Sequence, residues 1–245
     1  MKIIKYKKKK NNIYELELEN ADKIDLYEEV ILKFNLLLSK DLDLNSKEII
    51  NYNRECEVYY KALRLIKSRT RCKKEIKDKL VKEYDLELID KIINKLETQG
   101  YINELFFARS YLNNKIITTT NGPFKIKKEL IDKGIPINIV DEVMVDYTDE
   151  MQEEKIRKII TRMIKSNRSR GIAMLKRKIT TDLRNIGFSS NLISKILLDT
   201  DFPNDDDIAK KEYDKLYKRL SRKYSGSELE LKIKQKLYQK GLHYE

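Results

Sequence analysis

Apolar residues recur through most of this chain with the spacing of α-helices, and one arrangement of them occurs four times. An isoleucine is followed four positions later by a leucine, and four positions after that by a residue that can end a helix. The leucines of successive copies, Leu80, Leu130, Leu183 and Leu237, are 50, 53 and 54 residues apart. Self-similarity at a period near fifty predicts tandem supersecondary units, each too small to bury its apolar face alone.

The last residue of each copy predicts how the helix terminates. It is Gly134, Gly187 or Gly241 in three copies, and glycine adopts the left-handed conformation of a helix end at little cost. In the first copy the same position holds Tyr84, so we expect that helix to stop in a different way or under strain.

Each unit is predicted to contain three helices. The predicted spans are 54–67, 72–84 and 86–99 in the first unit, 104–117, 123–133 and 138–147 in the second, 149–166, 172–186 and 191–200 in the third, and 205–223 with 228–240 in the fourth. We therefore expect repeats over 51–100, 101–148 and 149–202, followed by a partial repeat over 203–245.

The first fifty residues have a different pattern. Residues 13–19 alternate between apolar and acidic, as a half-buried strand does, and Asn11 and Asn12 provide turn chemistry before them. We expect a hairpin of 3–6 with 13–19, a third strand over 23–26, a helix over 28–38, and a longer helix capped near Ser46. The predicted fold is all-α: an elongated, curved array of three full and one partial three-helix repeats behind a small N-terminal β-hairpin and helix segment (1–50).

Composition agrees with thin, serially stacked units. Charged residues make up 38% of the 245 and hydrophobic residues 40%, while the chain has only seven glycines and three prolines, which favours helix. Without an apolar run of 18 residues or a secretory leader, we expect a soluble, cytoplasmic protein. Cys56 and Cys72 do not suggest a disulfide framework, and we expect reduced thiols.

Positive charge is concentrated in one part of the chain. The formal net charge is +12, and residues 151–200 carry twelve Lys or Arg against four acids. Between Lys155 and Arg184 there are eleven cations and a single acid, Asp182. Such a distribution favours a polyanionic partner, although a solvated positive face with no dedicated partner stays an alternative.

The candidate binding residues fall into two groups. Lys155, Lys158, Arg162 and Lys165 recur at intervals of three and four, so one helix face could follow a phosphate backbone. Arg168 and Arg170 precede the second helix of their unit, as Arg69 and Arg71 do in the first, where free backbone N–H groups favour anions. Further cations near these helices complete the candidate set: Lys73, Lys74, Lys127, Lys128, Lys176, Arg177 and Lys178.

Signals of catalysis are weak in this sequence. His243 is its single histidine, so a histidine-based triad or zinc cluster cannot be assembled, and Gly-rich phosphate loops do not occur. The carboxylates interleave with lysines as on solvated helix faces. We expect no enzyme activity, no cofactor and no metal, with a carboxylate-metal nuclease as an open alternative.

Two stretches resemble a known family. Gly100-Tyr101-Ile102-Asn103-Glu104, with Phe107-Ala108, Tyr111 and residues 122–135, resembles the middle repeat of the RecX family of recombinase regulators, and residues 62–76 resemble its first repeat. The similarity covers about residues 54–200. Glu104 replaces the usual Asp, Cys72 replaces a helix-capping Ser at a cost of about 1 kcal/mol, and residues 118–121 replace a commonly basic loop.

The resemblance implies a non-catalytic, monomeric protein that binds the RecA recombinase and its filament on DNA along the groove. It would limit strand exchange and coprotease activity in repair and recombination. DNA contact would be weak, salt-sensitive and non-specific, and we expect no membrane partner. Two alternatives remain: an independent DNA-binding protein, because three-helix units resemble helix-turn-helix modules, and a purely structural helical scaffold. Against the first, no helix carries a cluster of base-reading residues.

Overall fold

The computed structural model describes residues 1–243, and it begins with a three-stranded antiparallel sheet in the order β1-β2-β3. The strands are Ile3–Lys8, Ile13–Leu18 and Lys23–Tyr27, as the alternating pattern predicts. Asn11 and Asn12 both have positive φ, which suits the tight turn between β1 and β2. Leu16 and Leu18 of β2 are fully buried, so this strand supplies the core of the sheet.

The helix predicted over 28–38 is interrupted in the structure. It forms α1 (Glu28–Lys33) and α2 (Leu36–Ser39), separated by Asn35 with φ of 49°. The break places Leu36 in the core, where its carbonyl oxygen accepts a hydrogen bond from the Tyr6 hydroxyl at 2.7 Å. Helical periodicity could not show this interruption, because Asn is one of the few residues that enter the left-handed region readily.

The remaining described elements are helices, and they follow the predicted order. They are α3 (Lys47–Ser68), α4 (Lys73–Leu80), α5 (Leu86–Thr98), α6 (Glu104–Thr118), α7 (Pro123–Asp132), α8 (Ile137–Met144), α9 (Asp149–Ser166), α10 (Ile172–Asn185), α11 (Ser190–Leu198), α12 (Asp206–Leu220) and α13 (Gly226–Gln239). The predicted all-helical class with a small N-terminal sheet is confirmed.

Residues Met1–Ala108 and Lys133–Pro136 form one compact unit, called unit 1. α3 serves two cores within it: Ile49 and Cys56 pack with the sheet, while Val58 and Ala62 pack with α4 and α5. The predicted cap of α3 is present, since the Ser46 hydroxyl accepts a hydrogen bond from the Ile49 amide at 3.4 Å. One continuous helix therefore connects the N-terminal sheet to the first helical core.

Residues Arg109–Asp132 and those from Ile137 onward form a second compact unit, unit 2. α9, α10 and α11 contact one another, α7 contacts α8, and α12 contacts α13. The repeated isoleucine and leucine positions are core in every copy of this unit: the buried residues include Ile126, Leu130, Ile179, Leu183, Ile233 and Leu237.

The glycines predicted to end helices do so. Gly134, Gly187 and Gly241 have φ of 78°, 97° and 71°. In the first copy the prediction of a helix through Tyr84 is wrong, because α4 already ends at Leu80. Tyr84 instead turns into the core, where it is 8% exposed and its hydroxyl donates to Glu57 Oε1 at 2.7 Å.

In unit 2, the end of the second helix of one repeat contacts the start of the second helix of the preceding repeat. The Gly122 amide, just before α7, donates to the Ile186 carbonyl oxygen at 2.7 Å, and the Phe124 amide donates to Gly187 at 3.0 Å. A Cβ on Gly122 would lie 2.5 Å from the backbone of Gly187. Before α10, the Gly171 amide likewise donates to the Lys240 carbonyl oxygen at 2.9 Å. Successive repeats of this unit are therefore joined through backbone contacts that only glycine permits.

Candidate polyanion-binding surface

The basic segment between Lys155 and Arg184 lies on α9, on α10 and on the loop Asn167–Gly171 between them, which we call the arginine loop. α9 buries Ile156 and Ile160 and leaves Lys158, Arg162 and Lys165 exposed. Thr148 caps this helix by accepting a hydrogen bond from the Met151 amide. Packing of the apolar stripe thus fixes which side of α9 presents cations.

Lys155 does not belong to that exposed row. It is half-buried, and its Nζ donates to the carbonyl oxygens of Ile116 at 2.6 Å and Thr119 at 3.0 Å, at the end of α6. Burial lowers the pKa of Lys155, and the neighbouring Lys158 lowers it further. The prediction that Lys155 opens a row of solvent-facing cations is wrong, because this side chain closes the end of another helix.

The other three candidate cations of α9 are exposed, and they differ in whether they form an ion pair. Lys158 Nζ lies 2.5 Å from Glu154 one turn away, with both side chains largely exposed. Such an exposed pair contributes less than about 1 kcal/mol, so it competes poorly with a polyanion. Arg162 and Lys165 form no ion pair among residues 1–243.

Arg168 and Arg170 are exposed on the arginine loop and, within the described chain, make no ion pair. The backbone around them is nevertheless held. The Asn167 side chain accepts a hydrogen bond from the Arg170 amide at 3.2 Å and donates one to the Arg170 carbonyl oxygen at 2.6 Å. The loop therefore presents two free guanidinium groups from an ordered turn.

The start of α10 does not offer the free N–H groups expected there. The Ile172 amide donates to both oxygens of Asp205, each at 3.0 Å, and the Gly171 amide is taken by Lys240. The anion at this helix start is thus a carboxylate of the protein itself. The amides of Gly171 and Ile172 are therefore not free to bind an external anion, and the prediction of free N–H groups is wrong for these two residues.

On α10 the three consecutive cations have different surroundings. Lys176 is half-buried, with Nζ 4.5 Å from the centroid of the Phe202 ring. Lys178 lies 2.8 Å from Asp182 one turn along the helix. Arg177 is exposed and has no ion pair in the described part of the chain, so it is the most available of the three.

Several candidate cations of unit 1 form ion pairs or hydrogen bonds with other residues of that unit. Arg69 Nη1 lies 2.9 Å from Glu75, which also binds Lys133 at 2.6 Å. Burial alone would raise the pKa of Glu75, but Lys133 and Arg69 outweigh burial and lower it. Arg71 Nε donates to the Leu65 carbonyl oxygen at 2.9 Å and so closes the end of α3.

The remaining candidates divide in the same way. Lys73 Nζ pairs with Glu97 at 2.7 Å, and Lys74 packs beside Gly134, where a Cβ would meet its side chain at 3.4 Å. In unit 2, Lys127 pairs with Asp141 at 2.6 Å, whereas Lys128 is exposed without an ion pair among residues 1–243. The candidate cations that are exposed and form no ion pair in the described chain are therefore Lys128 in the second predicted repeat and five residues of the third: Arg162, Lys165, Arg168, Arg170 and Arg177.

The two cysteines are separate, buried thiols. Burial raises the pKa of Cys56 to about 11 and also raises that of Cys72. Cys72 makes no side-chain cap at the start of α4, which agrees with the expectation that replacing a capping Ser by Cys weakens the cap. The Cys72 Sγ instead donates to the Lys133 carbonyl oxygen at 3.4 Å.

Two sets of requirements, those of a metal site and those of a membrane-spanning helix, are not met by the described residues. Within residues 1–243, no group of three or more His, Cys, Asp or Glu side chains could hold a metal ion. In the same range, none of the helices combines the length and apolar character needed to cross a bilayer. What the described chain does present is exposed positive charge on packed helix triplets.

Packed helices behind a small N-terminal antiparallel sheet define the class of this protein as mostly helical. No family model matches the chain. It is 32% identical to regulatory protein RecX of Listeria welshimeri, covering 99% of this chain and 92% of the relative, and 32% identical to that of Lactococcus lactis, covering 97% and 93%. The chain belongs to the RecX family of regulatory proteins.

Solved structures agree with this assignment. A crystal structure of regulatory protein RecX superposes with a TM-score of 0.68 at 25% identity, covering 80% of this chain and 98% of that one. RecX from Lactobacillus salivarius superposes with a TM-score of 0.56 at 31% identity, covering 59% and 95%. The family resemblance and the fold class are therefore confirmed, and a regulatory role follows from the family.

Proposed function

We propose that this protein binds the RecA recombinase assembled on DNA and limits the activities of that filament, without catalysis of its own. The family supports a regulatory role, and the DNA in such a filament carries a negatively charged phosphate backbone. One observation carries the proposal: five of the six candidate cations that are exposed and form no ion pair in the described chain lie on α9, the arginine loop and α10.

The division of labour among repeats is part of the proposal. The repeats over 51–100 and 101–148 hold several of their candidate cations in internal ion pairs, as in Arg69 with Glu75 and Lys127 with Asp141. We assign these two repeats a structural role, and we assign polyanion contact to the repeat over 149–202. Lysine and arginine side chains that neutralise phosphates displace the counterions condensed on the nucleic acid, so affinity would fall as salt rises.

The test is a binding and ATPase assay with the cognate recombinase assembled on single-stranded DNA. Arg168→Glu/Arg170→Glu should weaken filament binding by at least about tenfold and reduce inhibition of ATP hydrolysis, because two attractive contacts become repulsive. Lys210→Glu/Lys211→Glu is the matched control, since it makes the same charge change at two exposed residues of α12.

The outcomes separate the competing functions. Equal loss in both variants would mean that only net charge matters, and unchanged inhibition by the arginine variant would remove this surface from the proposal. Tight, sequence-specific binding to duplex DNA without recombinase would instead favour an independent DNA-binding protein. Magnesium-dependent cleavage of that DNA would indicate a nuclease.

A further inference from the structure

We infer that the fourth repeat, over 203–245, positions the arginine loop, and that Asp205 is the positioning residue. The inference rests on the proposed function only for what the two arginines bind. It concerns a contact between elements that are distant in sequence but adjacent within unit 2, and it explains why two amides at the start of α10 already have partners.

The Asp205 carboxylate accepts a hydrogen bond from the start of another helix, α10, rather than from its own helix, α12. It stands immediately before α12, yet it makes no side-chain cap there. Both of its oxygens lie 3.0 Å from the Ile172 amide nitrogen, 33 residues earlier in the chain. A carboxylate at a helix start satisfies an orphan N–H group and is favoured by the helix dipole. The first turn of α10 is thus fixed by a residue of the fourth repeat.

A second contact holds the residue next to it. The Lys240 carbonyl oxygen, at the end of α13, accepts the Gly171 amide proton at 2.9 Å. A Cβ on Gly171 would lie 2.0 Å from the Gly241 oxygen, so the two backbones approach as closely as glycine allows. Asp205 and the end of α13 therefore hold two successive backbone amides, directly after Arg170.

The end of α13 is itself rigidly placed. Lys240 Nζ binds Glu212 of α12, which is only 4% exposed. Gly241 has φ of 71°, and the Leu242 amide returns to the Leu237 carbonyl oxygen at 3.0 Å, which closes the helix. The contact with Gly171 is consequently a contact with a fixed surface.

The consequence for binding is pre-organisation. The arginine loop is held on its α10 side by the fourth repeat and across its turn by Asn167, while the side chains of Arg168 and Arg170 stay exposed. An ordered backbone has less conformational entropy to lose when the arginines engage a polyanion. Loosening Asp205 should therefore weaken binding although Asp205 touches no ligand.

Hydrogen–deuterium exchange of the full chain tests the contact directly. Asp205→Ala should increase exchange at Ile172 and through the arginine loop by about tenfold, the loss expected for one hydrogen bond to a charged group. Asp205→Asn retains an acceptor oxygen and should exchange nearly as slowly as the native chain. Asp207→Ala, at an exposed residue of the same helix start, is the control and should change nothing there. Unchanged exchange in Asp205→Ala would overturn the inference.

Binding to a fluorescein-labelled oligothymidylate, and to recombinase filaments formed on it, distinguishes positioning from charge. Both Asp205→Ala and Asp205→Asn remove one negative charge, but only the alanine removes the acceptor. Positioning predicts weaker binding and a smaller dependence of affinity on salt for Asp205→Ala, with native behaviour restored by Asp205→Asn. Equal tightening in both variants would show a charge effect and overturn the inference. Failure of the proposed function would give a different result. Arg168→Glu/Arg170→Glu would bind as tightly as the native chain, while Asp205→Ala would still show faster hydrogen–deuterium exchange.

Discussion

Lysine and arginine side chains serve two purposes in this protein, and their hydrogen bonds separate the two. Lys155 and Arg71 donate to backbone carbonyl oxygens at the ends of α6 and α3. The last four carbonyls of a helix lack intrahelical donors, and a cation placed there is also favoured by the helix dipole. Arg168 and Arg170 have no such internal partner among residues 1–243, which leaves them available to a ligand.

This difference predicts that substitutions at two neighbouring lysines of α9 change stability by unequal amounts. Lys155→Met should lower the free energy of unfolding by about 2 kcal/mol, because two carbonyl oxygens lose a charged donor. Lys158→Met should change stability by less than about 1 kcal/mol, since its pair with Glu154 is exposed. Urea unfolding measures both values. Equal stability losses would show that Lys155 is not a closing residue of α6.

At the scale of helices and loops, glycine determines how the repeats of unit 2 meet. Gly122 faces Gly187, and Gly171 faces Gly241, at separations that leave no space for a Cβ. Interiors packed this closely do not absorb an added methyl group without moving backbone. Adding a methyl group at the contact between the second helices of successive repeats should therefore destabilise the protein more than adding one in the exposed turns nearby.

Gly122→Ala is the direct test of this junction. Gly122 does not have positive φ, so the substitution introduces little backbone strain, and its cost is steric: about 2 to 3 kcal/mol of unfolding free energy. Gly226→Ala is the control, because Gly226 has φ of 58° but open space around its Cβ position, and should cost about 1 kcal/mol. A Gly122→Ala variant no less stable than Gly226→Ala would contradict the steric argument, as measured by urea unfolding.

The sequence could predict elements well because their signal is local. Ile126 and Leu130 reveal a core face at helical spacing, and the alternation at residues 13–19 reveals β2. It could not predict Asp205 as a ligand of the Ile172 amide, since the tract from Asn204 to Asp207 has the composition of an ordinary helix start. Side-chain partners more than thirty residues apart depend on how repeats pack, and periodicity carries no information about that.

For the candidate surface, the sequence predicts a segment but could not separate its exposed cations from those engaged within the fold. Arg168 and Lys155 look equivalent as cations in a basic run. They differ because the end of α6 lies beside Lys155, whereas nothing in the described chain pairs with Arg168. Net charge therefore predicts a segment for the proposed polyanion contact, and packing shows which of its cations already have partners within the fold.

At the scale of the whole molecule, charge is unequal along a repetitive chain. Residues 151–200 carry most of the net +12, and residues 101–150 are net acidic. A protein with one strongly cationic repeat among several gains little from a single weak contact, but it can gain from contacting several protomers of an ordered polymer at once. Linked weak contacts raise overall affinity through effective concentration.

We therefore expect binding to assembled filaments to be far tighter than binding to free recombinase, by at least about a hundredfold, the lower range for linked sites. Fluorescence anisotropy of the labelled full chain, titrated with free recombinase or with filaments on oligonucleotides of increasing length, measures the ratio. Affinity should rise with filament length until every repeat that contacts recombinase is engaged. In Arg168→Glu/Arg170→Glu the rise should be smaller, because the repeat over 149–202 no longer contributes. Equal affinity for free and assembled recombinase would mean that a single repeat accounts for binding and that the tandem architecture serves stability alone.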